Sequence, residues 1–223
     1  MSEAYKKQVL DKYVPRKLLK EIDGKSFVIP NGIDDFWFKN KNLINKTLDK
    51  SRIKLIFVGK INKNKNAVTI QKAMDILLKN GYEVELKIIG EIQDKREFRK
   101  IQNNPFTTYH SPMAKEELIE QYRLSDIFVM PSITESFGLV YAEAMSQSLP
   151  VIYSKGQGFD EQFEEGKVGS HVLSTSPKSV ANGIERVIND YSCIQKNLVK
   201  LVDKFSWEEI VKKYKEIYEM IIK

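Results

Sequence analysis

Residues 131–151 read Pro-Ser-Ile-Thr-Glu-Ser-Phe-Gly-Leu-Val-Tyr-Ala-Glu-Ala-Met-Ser-Gln-Ser-Leu-Pro-Val, and from Phe137 to Met145 the single charge is Glu143. Glu135 stands eight positions earlier. The pattern predicts a helix beginning near Ser136, whose first turn leaves the amides of Phe137, Gly138 and Leu139 as unpaired donors, a cradle for an anion. Gly138 lets a ligand approach the backbone closely. Glu143 falls four positions after Leu139 and seven after Ser136, so it shares their face, and helical side chains lean toward the amino terminus. Its carboxylate is therefore expected at the mouth of the cradle. A buried carboxylate needs partners. A ligand with two hydroxyls would satisfy both oxygens; a structural ion pair with a lysine such as Lys60 is the other reading.

A second basic element lies at Ile53-Lys54-Leu55-Ile56-Phe57-Val58-Gly59-Lys60-Ile61-Asn62-Lys63-Asn64-Lys65-Asn66-Ala67. It reads as a buried strand ending at Gly59, then a loop with Lys60, Lys63 and Lys65 opening a helix. Lysines beside a helix amino terminus add positive charge where the dipole is already positive, an arrangement that suits a bound phosphate. An ordinary solvated loop is the alternative, and the spacing is not that of a P-loop. The pair Glu135 and Glu143 could also serve as the acid and nucleophile of a glycosidase. That reading is set aside, because carbohydrate hydrolysis needs no basic loop and amide cradle. Trp37 and Trp207 are read as packing residues, and His110 and His171 as loop or core residues.

These groups need a scaffold that brings separate loops together. Short apolar runs at Phe27–Ile29, Ile53–Val58, Val84–Ile89, Asp126–Met130 and Leu149–Tyr153 alternate with amphipathic stretches such as Val68–Leu78 and Lys115–Leu124. Alternation of this kind implies βαβ crossovers and a Rossmann-like α/β fold, a parallel sheet with helices on both faces. Ligands then bind at the carboxyl ends of the strands. Residues 3–20 form a lysine-rich helical stretch broken at Pro15, and residues 39–52 a polar connector. Ser206 and Glu209 are spaced as a capping box before an apolar stripe of Trp207, Ile210, Val211, Tyr214, Ile217, Tyr218 and Ile221.

The 223 residues, 42% hydrophobic and 30% charged, suffice for a sizeable core. The one cysteine, Cys193, excludes an internal disulfide, and His110 and His171 are too far apart in sequence to suggest a metal-ligand cluster. No run of about 18 apolar residues occurs. A cytoplasmic setting is the expectation. The net charge of +6 and pI near 9.1 favour anionic partners, among them phosphate groups and an anionic leaflet.

The segment from Thr134 to Val151 resembles the Glu-x7-Glu signature of retaining GT-B glycosyltransferases of the group 1 family, numbered four among sugar transferases. The order of other motifs is similar too: Val28-Ile29-Pro30-Asn31-Gly32-Ile33-Asp34, Phe57-Val58-Gly59-Lys60 with Lys65, Ile88-Ile89-Gly90, Ser125 to Ser132, and Phe205-Ser206-Trp207. The resemblance covers about 195 residues, the carboxyl-terminal half of such proteins, counted from Val28. It implies that Glu143 binds the ribose hydroxyls of a nucleotide and Glu135 the transferred sugar. Lys60 and Lys65 would neutralise a departing diphosphate, with Glu135 taking part in transfer. The nucleotide side falls further to Gly59, Ser136, Phe137, Gly138 and Leu139, and the base to the loop Tyr109–Met113, with His110 and Met113. Lys60 stands where arginine is more usual, which exchanges a bidentate contact for a point charge.

The resemblance also implies a domain division: residues 1–25 as the last helix and linker of an amino-terminal acceptor domain, 26–205 as the nucleotide-sugar-binding domain, and 206–223 as a helix that packs back on the first. The chain is then an excised domain or half of a split enzyme, with the amino-terminal acceptor domain or partner subunit as its partner. The implied donor is a nucleoside diphosphate sugar of UDP or GDP type, with no cofactor, no metal and no nucleic-acid partner; the sequence has no Asp-x-Asp pair, and Asp34 and Asp35 are adjacent. The implied role is assembly of a bacterial surface polysaccharide, from a cytoplasmic position with the basic surface resting on an anionic leaflet. The alternative is a non-catalytic nucleotide-binding or interaction subunit. A nucleotide-sugar epimerase of the same architecture is a third option.

Overall fold

The computed structural model describes residues 2–44 and 46–222, with the backbone alone at 197. Met1, Asn45 and Lys223, which fall in the expected first segment, connector and last helix, lie outside the described residues. Six parallel strands run in the order β3-β2-β1-β4-β5-β6. They are β1 (Ile53–Val58), β2 (Val84–Ile89), β3 (Thr107–His110), β4 (Ile127–Val129), β5 (Val151–Ser154) and β6 (Gly169–Val172). The register runs from Ile53 against Val84 to Val58 against Ile89, and Leu55 lies against Ile127 on the other side of β1. The central strands are buried on both faces, which is why their sequences are almost unbroken apolar runs.

The expected α/β architecture is present, with two strands differently placed. Phe27–Ile29 joins no ladder; the chain is extended there and docks at the carboxyl end of the fold, with Ile33 N donating to Phe205 O at 3.1 Å. The sheet edges belong instead to β3 and β6, whose polar residues hid them from a search for apolar runs. Helices α1 (Glu3–Tyr13) and α2 (Arg16–Gly24) break at Pro15 as expected, and α3 (Asp35–Lys39) follows the extended segment. The crossover helices are α4 (Ala67–Lys79), α5 (Lys95–Ile101), α6 (Lys115–Arg123) and α7 (Leu139–Ser146), and the 25-residue α8 (Pro177–Leu201) follows the last strand, β6. On α4 the face of Ile70, Ala73, Met74 and Leu77 is fully buried.

A short 3-10 turn, Val202–Phe205, leads into α9 (Trp207–Ile222). Only half of the expected capping box forms. Glu209 N donates to Ser206 Oγ at 3.2 Å, but Ser206 N is taken by Asp203 O and the Glu209 carboxylate pairs with Lys212. Of the α9 stripe Ile210 is buried, whereas Trp207, Val211, Tyr214, Tyr218 and Ile221 are exposed. Among the described residues no helix is long and apolar enough to cross a membrane.

Two glycines end neighbouring strands, and they differ in what they tolerate. A Cβ on Gly90, whose φ is +153°, would lie 1.9 Å from Gly59 O, while one on Gly59 would meet Met130 Sδ and the Phe57 ring at an ordinary 3.6 Å. Gly90→Ala is therefore expected to destabilise the fold by about 3 kcal/mol or more, and Gly59→Ala by less than about 1 kcal/mol, in urea unfolding. Equal costs would contradict this account of the strand ends.

Candidate functional site

The strand order reverses between β1 and β4, so the crossovers on either side diverge and open a crevice at the carboxyl ends of these strands. The two loops that border it are laced together. Asn64 accepts from Thr134 N at Oδ1 and donates to Thr134 O from Nδ2, both at 2.9 Å, and its own carbonyl accepts from Ile133 N at 2.8 Å. Asn66, left-handed at φ 62°, donates to Pro131 O and Ser174 O. Asn62 Oδ1 accepts from Lys65 N. Asparagine suits this task because its side chain bonds nearby backbone and tolerates the left-handed region. The three asparagines were the visible signal of this junction, and the lysine reading passed over them.

At the junction Lys65 Nζ lies 2.5 Å from Glu135 Oε2, with the Glu135 side chain only 10% exposed. Ser132 Oγ approaches the same oxygen at 3.4 Å. The loop after β5 holds Glu135 from behind: Gln157 Oε1 accepts from Glu135 N, and Gly158 N donates to Glu135 O at 2.6 Å. A Cβ on Gly158 would strike the backbone of Ser136 and Phe137 at 2.2–2.4 Å, so glycine is required for this packing. Lys60, just past β1, is exposed and has no partner among the described residues.

The helix after β4 starts later than the sequence suggested. Its first residue is Leu139, and Gly138 precedes it at φ 78° with no side-chain cap. A Cβ there would meet the Tyr141 ring at 2.4 Å, so Gly138 answers a backbone and packing demand. Ser136 is exposed outside the helix and no longer shares a helical face with Glu143. Phe137 turns its ring into the core, 5.7 Å from that of Phe205. The amides of Gly138, Leu139 and Val140 have no acceptor among the described residues, so the cradle survives, shifted by one residue.

Glu143, one turn after Leu139, is half-buried and makes no side-chain hydrogen bond or ion pair among the described residues. The expected alternative of a pairing with Lys60 is absent. Burial pushes its carboxyl up to about 7, opposed by the Lys115 ammonium and reinforced by the Asp34 carboxylate. Tyr122 is fully buried, which pushes its hydroxyl well above the ordinary value with a further contribution from the Glu143 charge, and its OH is unpartnered among the described residues, as is Trp37 Nε1. Tyr109 and His110, expected in a loop, instead close the edge strand β3, and Met113 lies in the loop that follows it. His110 O accepts from Gly90 N, its ring is exposed, and Met113 rests against the core. A cavity of about 750 Å³ runs elsewhere, along the face of β1–β3 beside Lys54, Glu85, Lys87 and Phe106; of the expected site residues it touches only His110.

An open, doubly wound α/β domain with a cation- and amide-lined crevice at its switch point is thus defined. The profile of the family described as glycosyl transferases group 1 matches residues 38–218, and the chain belongs to that family. Among its relatives, the Staphylococcus aureus capsular polysaccharide biosynthesis glycosyltransferase CapM is 28% identical over 234 residues, 96% of this chain and 60% of that protein. Among solved structures, a glycosyltransferase from Rickettsia africae superposes with a TM-score of 0.76 at 20% identity, covering 100% of this chain and 62% of that one. Anabaena HepE in complex with UDP-glucose superposes at 0.68 and 18% identity, covering 87% and 57%. These two likenesses are of fold. The chain spans less than two thirds of the length of each.

The raised Glu143 carboxyl makes a prediction with a definite sign. The folded state holds this proton more tightly than the unfolded chain, so stability is full below the ordinary carboxylate value of 4.5 and falls as pH rises through about 7. Glu143→Gln is expected to raise stability over wild type on the order of 2 kcal/mol at pH 8 and hardly at all at pH 4.5, read from urea unfolding at both pH values. A stabilisation that does not grow with pH would contradict a buried, uncompensated charge.

Proposed function

We propose that the chain is the donor-binding domain of a retaining, family 4 glycosyltransferase that moves a sugar from a nucleoside diphosphate sugar to a saccharide or lipid-linked acceptor, in polysaccharide assembly. The observation that carries this reading is the meeting, at one crevice, of the lysine-bearing loop after β1 with the loop after β4 and three free amides, beside a helix whose carboxylate lacks a partner. The diphosphate lies between Lys60, Lys65 and the amides of Gly138–Val140. Lysine has three N–H donors, so Lys65 can hold Glu135 and a phosphate together. As the sugar–oxygen bond breaks, negative charge gathers on the diphosphate, and these fixed donors stabilise it without reorganising. Glu143 accepts the two ribose hydroxyls, and Glu135 faces the sugar.

Capsule assembly is the printed role of CapM, and HepE was captured with UDP-glucose; both favour this assignment of donor and pathway class. The exposed stripe of α9 and the largely solvent-facing α2 suit the division into residues 1–25, 26–205 and 206–223, with the outer segments meeting an acceptor domain. The same stripe would serve an interaction subunit that binds nucleotide without turnover. The basic charge favours a cytoplasmic position at an anionic leaflet.

Titration of the chain with UDP-glucose and GDP-mannose by calorimetry tests the reading. Glu143→Ala is expected to weaken the better ligand at least about tenfold, because two hydrogen bonds to a charged group are lost. Lys60→Ala is expected to weaken it about tenfold with no change in melting temperature, since this side chain supports nothing else. Saturable binding that ignores both substitutions would overturn the assignment.

A further inference from the structure

Glu143 is governed by groups that the donor reading leaves unused. Lys115 is the first residue of α6, and its ammonium makes a 2.6 Å ion pair with Asp34 Oδ2. Asp34 belongs to the extended segment that leads into α3, where its other oxygen caps the helix by accepting from Phe36 N at 2.8 Å. The titratable groups whose charges bear on Glu143 are Lys115 and Tyr122 from α6 and Asp34 from the head of α3. Among these Lys115 is the sole cation, and its partner is Asp34 rather than Glu143.

We propose that Asp34 and Lys115 are positioning residues for the donor: their 2.6 Å ion pair holds the Lys115 ammonium on Asp34 and off the Glu143 carboxylate, leaving both carboxylate oxygens free for the ribose. This rests on the donor-site reading. Both side chains are about half open to water, 47% for Lys115 and 52% for Asp34, so the pair contributes little to stability and its geometry is easily exchanged. Without the Asp34 charge, the ammonium is drawn to the other nearby carboxylate, an attraction that strengthens where water is excluded. Lys115 would then occupy the place of the ribose. Because Asp34 lies in the segment between α2 and α3, any shift of that segment would alter the grip on the nucleotide.

The test uses the full chain with UDP-glucose as probe, since a nucleotide sugar lacks the terminal phosphate ionisation at ~6 that would confuse a pH profile. Asp34→Asn retains the cap, because asparagine caps as well as aspartate. It is expected to weaken binding about tenfold at pH 8. Adding Lys115→Met should restore affinity to near wild type, which a purely structural defect would not allow. Lys115→Met alone should move the pH midpoint of binding upward, with affinity lost at pH 7 and regained at pH 9. Carboxyl NMR of Glu143 reads the same effect without ligand, its titration midpoint lower in Asp34→Asn and higher in Lys115→Met. Unchanged midpoints, or no rescue in the double variant, would overturn the inference. If Glu143→Ala binds UDP-glucose as well as wild type, the donor-site reading is what fails, and the NMR midpoints still decide the coupling.

Discussion

The junction between the loop after β1 and the loop after β4 is the constraint on which the site depends. These loops lie 70 residues apart in sequence, and only the strand reversal makes them neighbours. Backbone polar groups brought together there need partners, and Asn62, Asn64 and Asn66 supply them. With the loops locked, the Lys65 ammonium and the Glu135 carboxylate meet at a place where neither is well hydrated. The ion pair follows from the junction, and the free amides of α7 are held alongside it by Gly138 and the buried ring of Phe137.

Two electrostatic environments result at one crevice. Glu135 is compensated, by Lys65 and by the hydrogen bonds that flank it. Glu143 is not, and burial leaves its carboxyl near neutrality in titration. A group kept in that state is poised to change its interactions when a ligand arrives. The cavity along β1–β3 carries charge of another kind: Arg52 and Glu85 pair with each other across the strands, and Lys87, whose ammonium burial makes easier to deprotonate, is bonded to Gln121. The uncompensated carboxylate of Glu143 belongs to the crevice instead.

Much of the fold was legible because burial on both faces leaves a signature. The strands β1, β2, β4 and β5 could be read from apolar runs, as could the face of α4 and the break at Pro15. The edge strands β3 and β6 could not, since Thr107-Thr108-Tyr109-His110 and Gly169-Ser170-His171-Val172 carry no such run. At the candidate site, residue types and spacing singled out the two loops that the structure brings together and the carboxylate of Glu143. They did not reveal the delayed start of α7, which depends on the Tyr141 ring against Gly138, nor the pairing of Lys65 with Glu135. The tie between Asp34 and Lys115 spans 81 positions and leaves no local pattern. Gln157 and Gly158 were missed for the same reason: their roles exist only once the loop after β5 lies against Glu135.

The account stands most directly on where a nucleotide sits. A crystal structure of the chain grown with UDP-glucose should place the diphosphate between Lys60, Lys65 and the amides of Gly138, Leu139 and Val140, with the ribose hydroxyls on Glu143. A nucleotide found along the β1–β3 face, or one whose ribose does not touch Glu143, would contradict it.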